Sequence, residues 1–239
     1  MDKTVWKYTP PYDDVIGGPG NKDLLKGTMD AGWFGEVKAS EFITGDGLAK
    51  LIGLTAGTGQ CSNEPWLKFA YENDVYFMAK EPFRHSISWD NINAVKAVYG
   101  DLTKEIKGKK YAIMLPRGTG KDVQPDPKKI TSEYKGAVNH SSMWNQLMLP
   151  IHQKAPSNWD YEDNVKSTTE NWNVGYTDVD LITHYNNGNG SHNWCQETVA
   201  NNSSYRLYRG GYGVSFSNFN KTDAATSDFG WRPVLKLIG

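Results

Sequence analysis

Two stretches near the C-terminus decide the expected fold: Arg206-Leu207-Tyr208-Arg209-Gly210-Gly211-Tyr212-Gly213 and Gly230-Trp231-Arg232-Pro233-Val234-Leu235. Around them, residues 205–208 and 231–238 are apolar runs typical of buried or half-buried strands. The paired glycines Gly210 and Gly211 allow another backbone to approach closely. Trp231 is large and apolar enough to anchor a core. We expect these three residues to be the structural anchors of a domain that closes with two strands.

The segment between the two runs, residues 212–229, is polar but carries several flat apolar side chains. It is expected to be a solvent-facing loop. Aromatic faces mixed with short hydrogen-bonding groups are the composition that adaptable binding surfaces use. The candidate ligand-binding residues are Tyr212, Ser215, Phe216, Asn218, Phe219, Asn220 and Lys221.

Earlier segments show clear periodicity. Residues 66–71 and 75–79 alternate with period two around a polar turn, which predicts a β-hairpin, and residues 102–106 and 110–115 predict a second one. Between them, Ser88 is a suitable N-cap for a helix that ends at Gly100. Ser141 or Ser142 caps a second helix that runs as far as Pro150. Residues 152–204 are expected to be mostly irregular, and connections of that length usually have a function.

Residues 1–60 differ from the rest, because Pro and Gly interrupt them and little periodicity is visible. One short helix fits where Asp46 caps an apolar run that stops at Gly53. The many aromatic residues disfavour a disordered tail. We therefore expect an extended docking arm over residues 1–60, ordered against another subunit or against the main domain, which covers residues 61–239.

The composition restricts the class of function. The chain has 26 Lys and Arg against 27 Asp and Glu, so bulk attraction to nucleic acid or to an anionic membrane is not expected. Nine Trp and thirteen Tyr favour a surface that is both packed and wet, or else they fill a core poor in Leu and Ile. No window approaches the apolar run of about 20 residues that a membrane span needs. The first residues lack the apolar region of a signal peptide, so export by that route is not expected.

Several apparent chemical signals fail on inspection. Gly118-Thr119-Gly120-Lys121 suggests a phosphate loop, but Leu115 and Asp122 stand where that motif requires Gly and Ser or Thr, so we predict a turn. The five His never fall at metal-binding spacing, and no metal or other cofactor is expected. Cys61 and Cys195 are far apart and are expected to be reduced thiols, with a single bridge as the alternative.

Two further patterns are candidates for a sugar-binding or catalytic site. Gln124-Pro125-Asp126 with Trp144-Asn145 resembles the sugar-binding pair of calcium-dependent lectins, but Gln146 replaces the Asp that the second motif needs, which disfavours calcium-dependent binding. Carboxylate pairs that could serve a polysaccharide hydrolase come from Asp160, Glu162, Asp163, Asp178 and Asp180. Acidic residues in a loop rich in Tyr and Asn are usually solvated, and we expect no enzyme.

The closing Arg-Gly-Gly and Gly-Trp-Arg strands resemble those of C-type-lectin-like domains found in relatives of the formylglycine-generating enzyme and in phage receptor-binding proteins. Further motifs together resemble a family of tailed-phage virion structural proteins: Trp66-Leu67-Lys68-Phe69, Arg84-His85-Ser86-Ile87-Ser88-Trp89-Asp90, Tyr99-Gly100-Asp101, Ser142-Met143-Trp144-Asn145, Pro150-Ile151-His152, Trp194-Cys195-Gln196-Glu197, and in the arm Pro10-Pro11, Ile16-Gly17-Gly18-Pro19-Gly20 and Glu41-Phe42-Ile43-Thr44-Gly45-Asp46. The resemblance covers most of the chain.

The resemblance implies an α+β fold, a C-type-lectin-like domain with two helices, β-hairpins and long irregular loops after an extended N-terminal arm. Where catalytic relatives carry reactive cysteines, this chain has Cys195 shortly before the Arg-Gly-Gly strand and no cysteine after it, which disfavours oxidase chemistry.

It also implies a location in the virion, as a non-catalytic binding module of tail, fibre or capsid surface. The expected partners are other virion proteins through the arm, a host-surface glycan or protein, and further copies of the chain, because many copies convert weak contacts into firm attachment. A purely architectural or capsid-decorating subunit without a host ligand is the alternative, and a polysaccharide hydrolase is less favoured.

Overall fold

The computed structural model describes residues 17–120, 142–153, 170–182, 189–199 and 202–238. Within these ranges the fold is mixed α+β, with two open sheets and four short helices. The strands are β1 (Lys26–Gly27), β2 (Ala31–Val37), β3 (Thr58–Gly59), β4 (Trp66–Tyr71), β5 (Asp74–Ala79), β6 (Arg84–His85), β7 (Tyr99–Ile106), β8 (Lys109–Met114), β9 (His192–Val199), β10 (Asn202–Gly210), β11 (Ser217–Lys221), β12 (Phe229–Trp231) and β13 (Val234–Leu237). The helices are α1 (Gly45–Ile52), α2 (Trp89–Ala94), α3 (Met143–Ile151) and α4 (Asp178–Ile182).

A seven-stranded antiparallel sheet has the order β1-β2-β4-β5-β13-β8-β7. It contains both expected hairpins, β4–β5 and β7–β8. The first turns at Glu72 and Asn73, with φ of 51° and 65°, and the second at Lys107 and Gly108, with φ of 50° and 77°. Two residues with positive φ form the turn whose twist matches that of the flanking strands, so the turn chemistry sets the register of both hairpins.

A six-stranded sheet has the order β11-β10-β9-β12-β6-β3, with a parallel pair only between β12 and β9. Its central strand β9 lies within residues 152–204, which were expected to be mostly irregular, and that expectation is wrong here. Residues 193–198 are all buried, so β9 shows no alternation of polar and apolar side chains. Its polar members are satisfied internally: the Asn193 amide donates to the Arg209 carbonyl, and the Gln196 amide donates to the Leu115 carbonyl.

The seven-stranded sheet is covered on both faces. On one face Trp66, Phe77 and Ile113 share a buried cluster with residues of α1, α2 and the six-stranded sheet. On the other, Phe69 and Met78 share a second cluster with residues of α3 and α4. Successive strand residues point to opposite faces, so one sheet contributes to two cores.

Residues 17–60 do not form the extended arm that was expected. Strand β2 pairs with β4 inside the seven-stranded sheet, and Phe34, Phe42 and Leu48 are buried. The short helix α1 is present, but Thr44 rather than Asp46 is its N-cap, accepting from the Gly47 amide at 3.1 Å. These residues are thus ordered by the main domain, which begins before residue 61. Residues 1–16 lie outside the described part of the chain.

The two predicted helices are α2 and α3. Ser88 caps α2 as expected, but this helix ends at Ala94 instead of Gly100, because Lys96 has a positive φ of 62° and Tyr99 already belongs to β7. Ser142 caps α3 by accepting from the Asn145 amide at 3.0 Å. None of the helices in the described ranges is long and apolar enough to cross a membrane.

The chain closes by passing from one sheet to the other. Strand β12 belongs to the six-stranded sheet and β13 to the seven-stranded sheet, so the crossing falls at residues 232–233. The predicted closing strand over residues 231–238 is therefore two strands. The crossing fixes the two sheets relative to each other beside β9 and β10.

Candidate functional site

A series of aromatic rings runs from the core to the surface beside β10. Trp194 stacks on Phe229 with ring centroids 4.4 Å apart, and Phe229 meets Tyr208 edge-on at 5.4 Å. Tyr208 contacts Phe216 at 6.3 Å, and Phe216 contacts Tyr212 at 5.0 Å. Trp194 is fully buried, whereas Tyr212 is 44% exposed. The outermost ring is thus supported by a packed column that reaches the core.

His192 lies beside this column and was not predicted from the sequence. Its ring is 4.6 Å from Tyr208 and 6.4 Å from Tyr212. Burial lowers the pKa of His192, which the charge of Asp228 opposes. A Cβ on Gly211 would lie 2.3 Å from the imidazole Nε2, so only glycine at 211, with φ of 93°, leaves room for this ring.

Four of the predicted ligand-binding residues, Asn218, Phe219, Asn220 and Lys221, lie in strand β11 rather than in a loop. Strand pairing sets Ser217 opposite Arg209, Asn218 opposite Tyr208 and Phe219 opposite Leu207. Because side chains alternate along a strand, β11 has two different faces. We name the face that carries Tyr208, Phe216, Asn218 and Asn220, together with Tyr212 packed on Phe216, the tyrosine face. The face that carries Tyr205, Leu207, Phe219 and Lys221 is the leucine face.

The candidates are therefore divided. Tyr212, Phe216, Asn218 and Asn220 lie together beside the aromatic column, whereas Phe219 and Lys221 lie on the opposite face. Phe219 is 38% exposed and packs edge-on against Tyr205 at 5.7 Å.

Ser215 belongs to neither exposed face. It is buried, and its carbonyl accepts a hydrogen bond from the Arg209 guanidinium at 3.2 Å. Ser215 is thus a structural residue.

Among the described strands, β11 lies at one edge of the six-stranded sheet. Hydrogen bonds from the Gly210 amide to the Phe216 carbonyl and from the Thr222 amide to the Ser204 carbonyl mark the even-numbered residues as those paired with β10. The odd-numbered amides therefore point away from the sheet. Two of them are capped locally: the Phe219 amide donates to Asn218 Oδ1 and the Lys221 amide to Asn220 Oδ1, each at 2.8 Å.

Arg206 extends the tyrosine face along β10. It lies two residues before Tyr208 and opposite Asn220, and its guanidinium stacks over the Trp89 ring at 4.0 Å. The period of two in residues 205–208 would have placed Arg206 beside Tyr208. The contact with Trp89 of α2 could not be predicted from a local pattern, because residues 89 and 206 are far apart in the chain.

The Arg-Gly-Gly and Gly-Trp-Arg motifs meet beneath this surface. Arg209 and Arg232 are fully buried, and their guanidinium groups lie 5.8 Å and 5.5 Å from the ring of Trp144 in α3. Arg209 donates to Asn145 Oδ1 at 2.6 Å, and Arg232 donates to Asn193 Oδ1 at 2.9 Å. The arginines of both motifs therefore pack around the same tryptophan.

Arg232 also joins the sheets. Its guanidinium donates to the carbonyls of Ala79, Lys80 and Leu181, which belong to the seven-stranded sheet, its following turn and α4. Burial lowers the pKa of Arg232 to about 9, while Glu81 opposes the shift. Trp231 beside it is fully buried, as expected of an anchor. A Cβ on Gly210 would lie 2.4 Å from the Ser191 carbonyl oxygen, which explains the glycine there.

The segment that resembles a phosphate loop binds an internal carboxylate. The amides of Gly118 and Thr119 donate to the Glu197 side chain at 3.0 and 3.4 Å, and Arg117 Nε lies 3.3 Å from the same carboxylate. Successive backbone amides form anion-binding concavities. The carboxylate of Glu197 in β9 occupies this one. Burial raises the pKa of Glu197, and Arg117 opposes the shift.

The remaining chemical candidates have structural roles or lie outside the described residues. Asp180 accepts from the Thr177 amide and hydroxyl at the start of α4, and Asp178 accepts from the Val214 amide at 2.7 Å. Asp160, Glu162 and Asp163 lie outside the described ranges. Of the two motifs that resemble a lectin sugar site, residues 124–126 also lie outside these ranges, and Asn145 of the second motif is buried against Arg209.

The two cysteines are free thiols, and burial raises the pKa of both. Within the described residues, no cluster of three or more His, Cys, Asp or Glu side chains could hold a metal ion.

No protein-family model, curated protein or solved structure matches the chain. The site is therefore defined by geometry: an exposed aromatic and amide surface on β10, β11 and residues 211–216, supported by a rigid buried network.

Proposed function

We propose that this chain is a non-catalytic binding module of a tailed-phage virion, with a C-type-lectin-like fold and a contact surface on the tyrosine face. The virion assignment rests on the motif resemblance. The surface rests on one observation: an exposed Tyr212 is continuous with a buried aromatic column, on the face of β11 that also carries Asn218 and Asn220.

The physical argument for binding is that this surface is both apolar and already ordered. Tyrosine offers a large contact area at low cost in side-chain entropy, and Asn supplies adaptable hydrogen bonds. Tyr212 packs on Phe216, so its ring loses little freedom when a partner contacts it. A glycan ring or a flat protein surface fits such a platform.

The division of β11 into two faces makes the proposal testable. One variant combines Tyr212→Ser with Asn218→Ala and alters the tyrosine face. A second combines Phe219→Ser with Lys221→Ala and alters the leucine face. A matched control, Thr103→Ala with Glu105→Gln, changes exposed positions of β7 on the other sheet.

Each variant is measured for host-cell adsorption, for incorporation into particles and for melting temperature. We expect the tyrosine-face variant to lose adsorption at least tenfold while assembling normally, because exposed substitutions usually change stability by only about 0.5 kcal/mol. Lost assembly with normal adsorption of the free protein would identify an architectural or decorating subunit instead. Unchanged adsorption and assembly in both face variants would exclude this strand as the contact surface.

A hydrolase is less favoured, because the candidate carboxylates in the described residues, Asp178 and Asp180, already accept hydrogen bonds from backbone amides. Release of reducing sugar from purified host envelope by the full chain would overturn the non-catalytic assignment.

A further inference from the structure

A cavity of about 400 Å³ opens at the β7–β8 turn of the seven-stranded sheet, away from the tyrosine face. One wall is formed by residues 17–19, and Tyr111 is part of the lining. The charged side chains that line it are Lys22, Glu41, Lys107 and Lys109. A volume of this size falls within the range of roughly 300–1,000 Å³ that is usual for small-molecule sites.

The walls are held in place by specific contacts. Gly18 has φ of 86°, and a Cβ there would lie 2.9 Å from Phe77 Cζ and 3.2 Å from the Tyr111 hydroxyl, so its backbone packs directly on both rings. The fully buried Lys68 donates from Nζ to the Asn21 carbonyl at 2.6 Å. On the opposite side, Lys107 Nζ donates to the Ser40 carbonyl at 3.0 Å. Both walls of the cavity are thus tied to the sheet.

The charge of the lining is unbalanced. Three ammonium groups accompany one carboxylate, and within the described part of the chain no ion pair joins Glu41 to any of these lysines. Elsewhere in the described residues a half-buried lysine does pair with a carboxylate, as Lys80 does with Glu36 at 2.9 Å. The pKa of Lys68, behind the wall, is lowered to about 8 by burial and further by the charge of Lys22. An anion would relieve the mutual repulsion of these amines.

We propose that this cavity binds a small organic anion, of about monosaccharide size, that carries a carboxylate or phosphate group. Lys22, Lys107 and Lys109 supply the positive charge, and Tyr111 supplies part of the apolar lining. The ammonium group of lysine is a point charge on a flexible stem, so it can bind either a carboxylate or a phosphate. This site is independent of the tyrosine face, because it is built from the other sheet.

The direct test is a titration of the full ¹⁵N-labelled chain at low ionic strength with glucuronate, with glucose 6-phosphate and with uncharged glucose. We expect saturable shifts of the amide signals of residues 17–22 and 107–111 with at least one of the two anions and none with glucose. The anion that binds more tightly distinguishes carboxylate from phosphate. Absence of saturation with both anions, or equal shifts with glucose, would overturn the proposal.

Charge variants should change the affinity for the anion in opposite directions. A variant that merely damages the fold could only lower the affinity, so the two explanations can be distinguished. Lys107→Gln with Lys109→Gln should weaken anion binding about tenfold or more, which corresponds to about 1.4 kcal/mol. Glu41→Gln should strengthen it, because it removes the one negative charge among the described residues that line the cavity. Lys50→Gln, an exposed lysine at the end of α1, is the matched control and should leave affinity unchanged. Weaker binding by Glu41→Gln, or an equal loss in Lys50→Gln, would contradict the site.

Discussion

At the scale of single residues, the buried cations Arg232 and Lys68 differ in the number of oxygen acceptors that they bind. Arg232 has four oxygen acceptors, whereas Lys68 donates to the Asn21 carbonyl and otherwise faces the rings of Phe34 and Phe77 at 5.1 and 5.6 Å. Burying an ammonium group in such surroundings is costly, which is why the pKa of Lys68 is lowered to about 8.

The Lys68 pKa predicts an unusual dependence of stability on alkaline pH. Between pH 8 and about 10, the unfolded chain keeps a proton that folded Lys68 has released, so the stability of the wild type relative to Lys68→Met should rise with pH by up to about 1 kcal/mol per unit. The two buried thiols, whose raised pKa acts in the opposite direction, are present in both proteins and cancel in this difference. Lys68→Met removes the ammonium group and should lack its contribution. The measurement is urea unfolding of both proteins at intervals from pH 7 to 10. Parallel curves for the two proteins would show that Lys68 titrates normally.

A second residue-scale prediction concerns Trp231. Trp231→Ala should cost on the order of 3–5 kcal/mol, as aromatic truncations in cores do. Its indole N–H is buried without a hydrogen-bond partner, whereas that of Trp194 donates to the Ile87 carbonyl at 2.9 Å. Trp231→Phe should therefore be less destabilising than Trp194→Phe by about 1–3 kcal/mol, because only the second change removes a bond. Denaturant titration of the two Phe variants measures the loss in the free energy of unfolding. An equal loss in both variants would contradict this prediction.

At the scale of elements, the sequence was most informative where local chemistry decides the outcome. Period two and turn residues located both hairpins of the seven-stranded sheet, and the capping residues Ser88 and Ser142 located α2 and α3. Strand β9 was missed because a strand buried on both faces carries no alternation, and because Gln196 and Glu197 find their partners in the distant segment 115–119.

The candidate site shows the same limit. The aromatic and Asn residues of the surface were identified correctly as exposed at Tyr212, Asn218 and Phe219. Their division between two faces was not foreseen, because the polar composition of β11 predicts a loop. The role of His192 depends on the close approach of Gly211, and neither residue signals the other in sequence.

The edge strand β11 carries its own prediction. Asn218 and Asn220 cap outward-pointing amides that would otherwise be free to pair with another strand. Replacing both by Ala should change the free energy of unfolding by no more than about 0.5 kcal/mol each. It should also promote self-association, because the uncapped edge becomes a template for strand pairing. Sedimentation velocity over a range of concentrations measures this, with Asn93→Ala, at an exposed position of α2, as the control. A double variant that stays as monodisperse as that control would contradict a protective role.

At the scale of the whole molecule, residues 26–60 and 229–237 are far apart in sequence but belong to the same two sheets. Strand β2 is an inner strand between β1 and β4, and β13 lies between β5 and β8. Phe42 packs on Trp66, Phe77 and Tyr111 with centroid distances of 4.7 to 5.3 Å. The N-terminal part that the sequence suggested as a separable arm is therefore part of the central core. A boundary at residue 60 would cut the seven-stranded sheet.

The consequence is a prediction about truncation. A chain of residues 61–239 would lose β2, α1 and the ring of Phe42, leaving β4 with an exposed edge and an uncovered apolar face. Loss of even one large core side chain costs about 3–5 kcal/mol, and marginal stability is typically about 5–15 kcal/mol, so removal of several should abolish cooperative folding. Calorimetry of the fragment should show no sharp transition. Adding a separate peptide of residues 1–60 should restore one, because the missing strand can pair with β4 in its native register. A cooperative transition in the fragment alone, unchanged by the peptide, would mean that residues 61–239 form an independent domain after all.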